Sequence, residues 1–210
     1  MKTTITAHLS SDQQTAIRAA VSKAEAHTSG EIVPLLVAQS GDYREAAVQA
    51  ATVIAAALAL ALALIIHDTS VWFFLPVAFV LYFPTLAAVL RLPQLKLAFT
   101  PAARIREVVR QQAIHVFYDN GLHRTRDANG ILIFISLLER KVWILGDRGI
   151  NAVIPPERWI SLASTLTSGI RQEKLTEALV GVIAEMGDVL HQHFPSRHDD
   201  VNELPDLLGK

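Results

Sequence analysis

The chain has 210 residues, 51% of them hydrophobic and 19% charged, with no cysteine and a formal net charge of −1. This composition excludes a disordered chain and a disulfide scaffold. The near-neutral charge argues against a nucleic-acid binder, which carries a basic footprint.

Residues 1–45 open with a helix. Ser10 and Gln13 have capping-box spacing behind Leu9, and Ile17, Ala20, Val21 and Ala24 recur at helical intervals up to about His27. Thr28, Ser29 and Gly30 end it, and residues 31–38 (EIVPLLVA) read as a strand in which Pro34 points to an edge or a bulge.

Residues 46–66 and 69–90 then contain no Asp, Glu, Lys or Arg. The 167 residues outside them hold all 39 charges and an ordinary soluble share of apolar residues, about 43%. Each stretch reaches the roughly 20 residues that a helix needs to cross the hydrocarbon layer. Trp72, Phe73 and Phe74, then Tyr82 and Phe83, suit interfacial belts, and Pro76 and Pro84 would kink the second span. The alternative, two buried core helices, would ask a small remainder to cover both completely. Two spans are too few for a polytopic transporter core, and neither holds an ionisable residue to mark a pathway.

Only His67 and Asp68 separate the spans, so a tight hairpin is expected with both flanks on one side. Residues 91–110 hold Arg91, Lys96, Arg104, Arg106 and Arg110 against Glu107, and Arg44 precedes the first span, whereas the hairpin tip has no Lys or Arg. The positive-inside rule then puts both long segments in the cytoplasm, with the hairpin crossing the membrane twice. The polar stretch 1–9 leaves no cleavable signal peptide to expect, and the lack of cysteine fits a reducing compartment.

After the spans, Thr100-Pro101 starts a helix whose stripe Ile105, Val108, Val109 and Val116 ends near Asn120-Gly121. Gly130 introduces ILIFISLL, the continuous apolar run of a central strand buried on both faces. Glu139-Arg140 reads as a turn and KVWIL as the returning strand; residues 146–151 (GDRGIN) read as a polar loop. Pro155-Pro156 opens a helix through Trp159, Leu162 and Leu166 closed by Gly169, and a longer one through Leu175, Leu179, Val182, Ile183, Met186 and Leu190 is stopped by Pro195. A polar tail, residues 196–210, follows. The order α-β, membrane hairpin, α-β-β-α-α describes a small α/β sandwich interrupted after its first strand: residues 1–45 and 91–195 form the domain and residues 46–90 the insertion.

Familiar catalytic signatures are missing: there is no Cys nucleophile, G-x-S-x-G, Walker loop, G-x-G-x-x-G or H-E-x-x-H. His191 and His193 stand two apart on a helix and face apart; with His198, Asp199 and Asp200 they offer a loose surface cation site or a solvated tail. His115 and His123 flank the end of the basic helix as ordinary boundary residues, and Arg104, Arg106 and Arg110 lie where anionic headgroups would meet them. The most suggestive set is oxygen-rich: Glu31, Glu139, Asp147 and Asn151, candidate ligands for a hard cation, Ca²⁺ or Mg²⁺. Turn chemistry alone also explains Gly146-Asp147-Arg148-Gly149, with Asp147 capping through its side chain.

The runs Thr28 to Val33, Gly130 to Ser136 and Glu139-Arg140 through Gly146 to Asn151 resemble the TPM domain family. The chain is similar in particular to a membrane-anchored bacterial branch with two spans inserted after the first strand and an ending HFP…NELPD, here His193-Phe194-Pro195 and residues 202–206. The resemblance implies a four-stranded sheet flanked by helices. Its plant members are associated with photosystem II repair and have been proposed to be acid phosphatases, an animal member modulates a receptor channel, and a soluble bacterial member binds divalent cations. Those relatives face non-cytoplasmic compartments, a departure that weakens the transfer of phosphatase chemistry to this chain. On the resemblance, Glu31, Glu139, Asp147 and Asn151 would be cation or phosphate-site groups, with Arg140 or Arg148 as anion partner.

Two functions follow as expectations. The first is an interaction or accessory module tethered to the bilayer, docking a protein partner at the cytoplasmic face and binding a cation. The second is a weak divalent-cation-dependent phosphatase with Asp147 and Arg148 at its centre.

Overall fold

A computed structural model describes Leu9–Ser196. The tail motif at 202–206 and the residues His198, Asp199 and Asp200 lie outside the described residues. Two compact units divide the chain: residues up to Ser40 together with those from Glu107 on, and Gly41–Arg106.

The first unit is the α/β domain. Its first helix α1 (Ser11–Glu25) starts on the expected capping box: Ser10 Oγ accepts from Gln13 N–H at 3.2 Å, and the Gln13 side chain accepts from Ser10 N–H at 2.9 Å. Strand β1 (Glu31–Val37) pairs in parallel with β2 (Gly130–Ser136), which pairs antiparallel with β3 (Lys141–Gly146), giving the order β1-β2-β3. Three strands rather than four are present among the described residues. The apolar runs themselves number three; the fourth strand was implied by family resemblance alone.

β2 is buried along its whole length, as its unbroken apolar run requires of a central strand. β1 is an edge, and its pairing with β2 runs through Pro34 without a bulge. That edge is blunted: the Glu25 side chain accepts from Ile32 N–H at 2.8 Å, and Pro34, two residues on and so with the same orientation, has no N–H to leave open.

Helix α5 (Ala102–Asp119) begins in the second unit and contributes Val109, Ala113 and Phe117 to the core of the first. It ends where Gly121 takes the left-handed conformation, φ 73°, and a single 3₁₀ turn, Leu122–Arg124, leads to β2. After β3 come α6 (Arg148–Val153), α7 (Pro156–Arg171) and α8 (Leu175–His193). Gly169 does not close α7, which runs two residues past it; a side chain there would collide with Ala178 Cβ on α8.

The second unit holds α2 (Arg44–Ile66), α3 (Val71–Arg91) and α4 (Pro93–Ala98). Helices α2 and α3 are long and apolar enough to cross a membrane, and α3 runs through both Pro76 and Pro84. The turn between them has His67 at φ 61° closing α2, while Ser70 caps α3 by accepting from Phe73 N–H at 3.3 Å.

Candidate functional site

The polar residues singled out in the sequence fall at opposite ends of the sheet. Glu31 stands opposite Gly130 in the β1–β2 register, and Asp147 follows Gly146, the partner of Ile131. Asp147 N–H donates to Gly130 O at 2.9 Å. Glu31 and Asp147 thus flank Gly130 at one end of the sheet, two strand spacings or roughly 10 Å apart between Cα atoms. Glu31 is buried, and its backbone N–H donates to Asn129 O at 3.4 Å. Asn129, also buried, ties this corner together by donating its side-chain amide to Ser29 O at 2.6 Å.

The segment read as a polar loop is instead the start of α6. Asp147 Oδ1 accepts from Arg148 N–H at 2.7 Å, so the carboxylate caps the helix as turn chemistry predicts. Its Oδ2 is buried and accepts no hydrogen bond among the described residues. Asn151 donates its side-chain amide to Gly146 O at 2.5 Å. Gly149 is required by close approach, since a Cβ there would lie 2.7 Å from the carbonyl oxygens of both Asp127 and Ala128. Arg148 is exposed beside Asp147.

Glu139 lies in the β2–β3 turn, at the far end of a seven-residue strand about 20 Å long. It accepts from Ser40 N–H at 2.9 Å and from Ser136 Oγ–H at 2.5 Å, while Ser40 Oγ–H donates to Ser136 Oγ at 2.8 Å. This chain of bonds fastens the residues after β1 to the hairpin turn. Arg140, exposed and at φ 50°, shares that end of the sheet. The expected set of Glu31, Glu139, Asp147 and Asn151 therefore does not form one ligand sphere: calcium draws its oxygens to about 2.3–2.6 Å, and a strand's length separates Glu139 from the others. Among the described residues no group of three or more His, Asp or Glu side chains could hold a metal ion.

Two motifs of the family resemblance meet in space. Thr28, buried, donates its hydroxyl to Phe194 O at 2.5 Å and accepts from Gly30 N–H at 3.1 Å, and Ser29 N–H donates to Phe194 O at 3.0 Å. The TSG turn is thus bolted to the HFP segment that ends α8. Periodicity carries no trace of this, because the partners are 166 residues apart.

Nearby, α1 and α8 enclose a groove of about 460 Å³ with Lys23, His27, Asp188 and His191 among its lining residues. His191 Nδ1 donates to His27 O at 2.6 Å, and the two rings meet edge to face at 6.2 Å. His191 is therefore a contact between the elements. His115 pairs with Asp119 at 3.1 Å, and the His123 ring lies tilted against Tyr118 at 5.0 Å. Arg110 pairs with Glu107 at 2.7 Å, and that carboxylate raises the guanidinium's pKa.

A family model described as the TPM domain matches residues 94–189. The chain is similar in structure to the BA42 protein from the psychrophilic bacterium Bizionia argentinensis, at 22% identity and a TM-score of 0.58, over 96% of this chain and 94% of that one. At that identity the likeness speaks for the fold. No curated protein matches.

Proposed function

We propose, from the TPM domain that the chain carries at residues 94–189, that it is a membrane-tethered accessory module presenting an α/β domain to a protein partner at the cytoplasmic face of a bacterial inner membrane. One observation carries this reading: α2 keeps small residues inside, and α2 and α3 both turn large apolar residues outward. Ala47, Ala51, Ala55, Ala59 and Ala63 are buried, whereas Leu60, Leu64, Ile65, Phe79, Val80 and Phe83 are exposed and Trp72 is 90% exposed. Scattered exposed apolar residues are ordinary on a soluble surface, but two whole helices of them call for a lipid cover. The cytoplasmic side is supported by the basic residues after α3 and by a tip without Lys or Arg.

The absence of native cysteine makes the test simple. Single variants Asp68→Cys, at the hairpin tip, and Gln172→Cys, in the α/β domain, are treated in intact cells with a membrane-impermeant maleimide. Labelling of the first in intact cells, and of the second only after permeabilisation, is the expected pattern; the reverse pattern overturns the orientation, and recovery of the protein in a carbonate wash overturns the anchor.

The second reading, a weak divalent-cation-dependent phosphatase, has Asp147 in its favour through the buried Oδ2 and the adjacent exposed Arg148. Asp147→Ala leaving phosphate release unchanged, with the protein still folded, removes that assignment.

A further inference from the structure

The chain that leaves the hairpin carries a run of cations that the fold does not use. Arg91 ends α3, Lys96 lies in α4, and Arg104 and Arg106 lie in the first turns of α5, all within the Gly41–Arg106 unit. Arg91, Arg104 and Arg106 are exposed, Lys96 is half-buried, and none of the four forms an ion pair among the described residues. Arg44, at the start of α2, differs: it pairs with Asp42 at 3.2 Å.

Helix α4 is held in place. Its Leu95, and Phe99 just after it, pack against the cluster formed by Ala47 and Ala50 of α2 and Val89 of α3. Six residues are too few for a stable helix alone, so this packing positions Lys96 beside the ends of both long helices. Leu92, 55% exposed, begins the same segment. Apolar side chains anchored on the hairpin and long cationic ones free to extend are the pattern of an interfacial collar, where basic stems lie along lipid and the heads reach phosphate.

We propose that Arg91, Lys96, Arg104 and Arg106 form a collar that binds anionic phospholipid headgroups in preference to zwitterionic ones. The inference rests on the membrane-anchor reading above and adds the lipid class to it. An acidic protein surface would also attract four cations, but Arg91 ends an apolar helix, Lys96 lies on a segment packed against both long helices, and Arg104 and Arg106 follow in the same unit, which favours lipid.

The experiment uses the full-length protein in vesicles of phosphatidylcholine with spin-labelled phosphatidylglycerol or spin-labelled phosphatidylcholine, reading the motionally restricted fraction of each. About a threefold preference for phosphatidylglycerol is expected at low salt, falling toward parity as ionic strength rises to about 0.5 M. The quadruple variant R91Q/K96Q/R104Q/R106Q is expected to lose the preference while restricting phosphatidylcholine as the native chain does. Equal restriction of both lipids by the native protein at low salt overturns the collar and leaves the anchor standing. Restriction of neither lipid, with the protein recovered outside the vesicles, overturns both.

Discussion

The two units bury opposite kinds of side chain. In the α/β unit most of the fully buried positions are large, among them Phe134, Leu36, Ile131 to Ile133 and Leu179. In the hairpin unit they are alanines of α2 in rows four apart, together with Val89 of α3, and many of the large side chains face outward. Water rewards the first arrangement through apolar burial. It would oppose the second, whereas a bilayer is indifferent to which apolar group faces it, and small residues let two helices pack closely. The contrast between units is the one that the proposed membrane anchor requires, with water around the first and lipid around the second.

The largest expected effect comes from emptying the core of the α/β unit. Phe134→Ala removes a fully buried ring from the central strand, and a loss of about 3–5 kcal/mol is expected, read as a lowered denaturation midpoint. Val80, 67% exposed in the middle of α3, provides the opposite probe. On a water-facing surface Val80→Arg would matter little, but in lipid it should cost about 2.5–3.5 kcal/mol of insertion, visible as protein lost from the membrane fraction. Unchanged membrane recovery of that variant would break the comparison at its root.

A smaller effect is expected where the Thr28-Ser29-Gly30 turn meets the end of α8. Thr28→Val keeps the shape and removes the hydroxyl that joins Phe194 O to Gly30 N–H, leaving the Gly30 donor buried. A loss of about 1–3 kcal/mol is expected in thermal unfolding. Ser196 N–H donates to His27 O just beyond that bolt, so faster amide exchange there in the variant would show that the terminus of α8 has been released.

The same contrast explains what was legible beforehand. Charge-free runs at 46–66 and 69–90 mark the hairpin closely, against Arg44–Ile66 and Val71–Arg91, because lipid tolerates few exceptions over 20 residues. The three strands and the Ser10 cap were also readable, each from a local pattern. Helices α4 and α6 were not: six residues span too few turns for periodicity, although Asp147 before Arg148 was a visible cap signal. The separation of Glu139 from Glu31 and Asp147 could not be read at all. It follows from strand pairing, and the parallel β1–β2 register is set across about 100 residues of intervening chain.

The smallest effect lies at the hairpin tip. Asp68 Oδ1 accepts from Ser70 N–H at 3.0 Å, and bonds from the Ser70 backbone and hydroxyl hold the Asp68 carboxyl below the usual aspartate pKa. Ser70 in turn caps α3. A carboxyl depressed in the folded chain lends stability that is complete above its unfolded pKa and disappears as the pH falls through its folded one. Any destabilisation of the start of α3 from this group is therefore confined to strongly acidic pH, at and below the ordinary aspartate range, with no change near neutrality. Because the group is fully exposed, the expected change is local: the Ser70 amide resonance should move with the Asp68 titration, and Asp68→Asn should abolish that movement. A titration of Asp68 at or above the ordinary value would mean that the tip is not held by Ser70, and that the apolar helices alone define the hairpin.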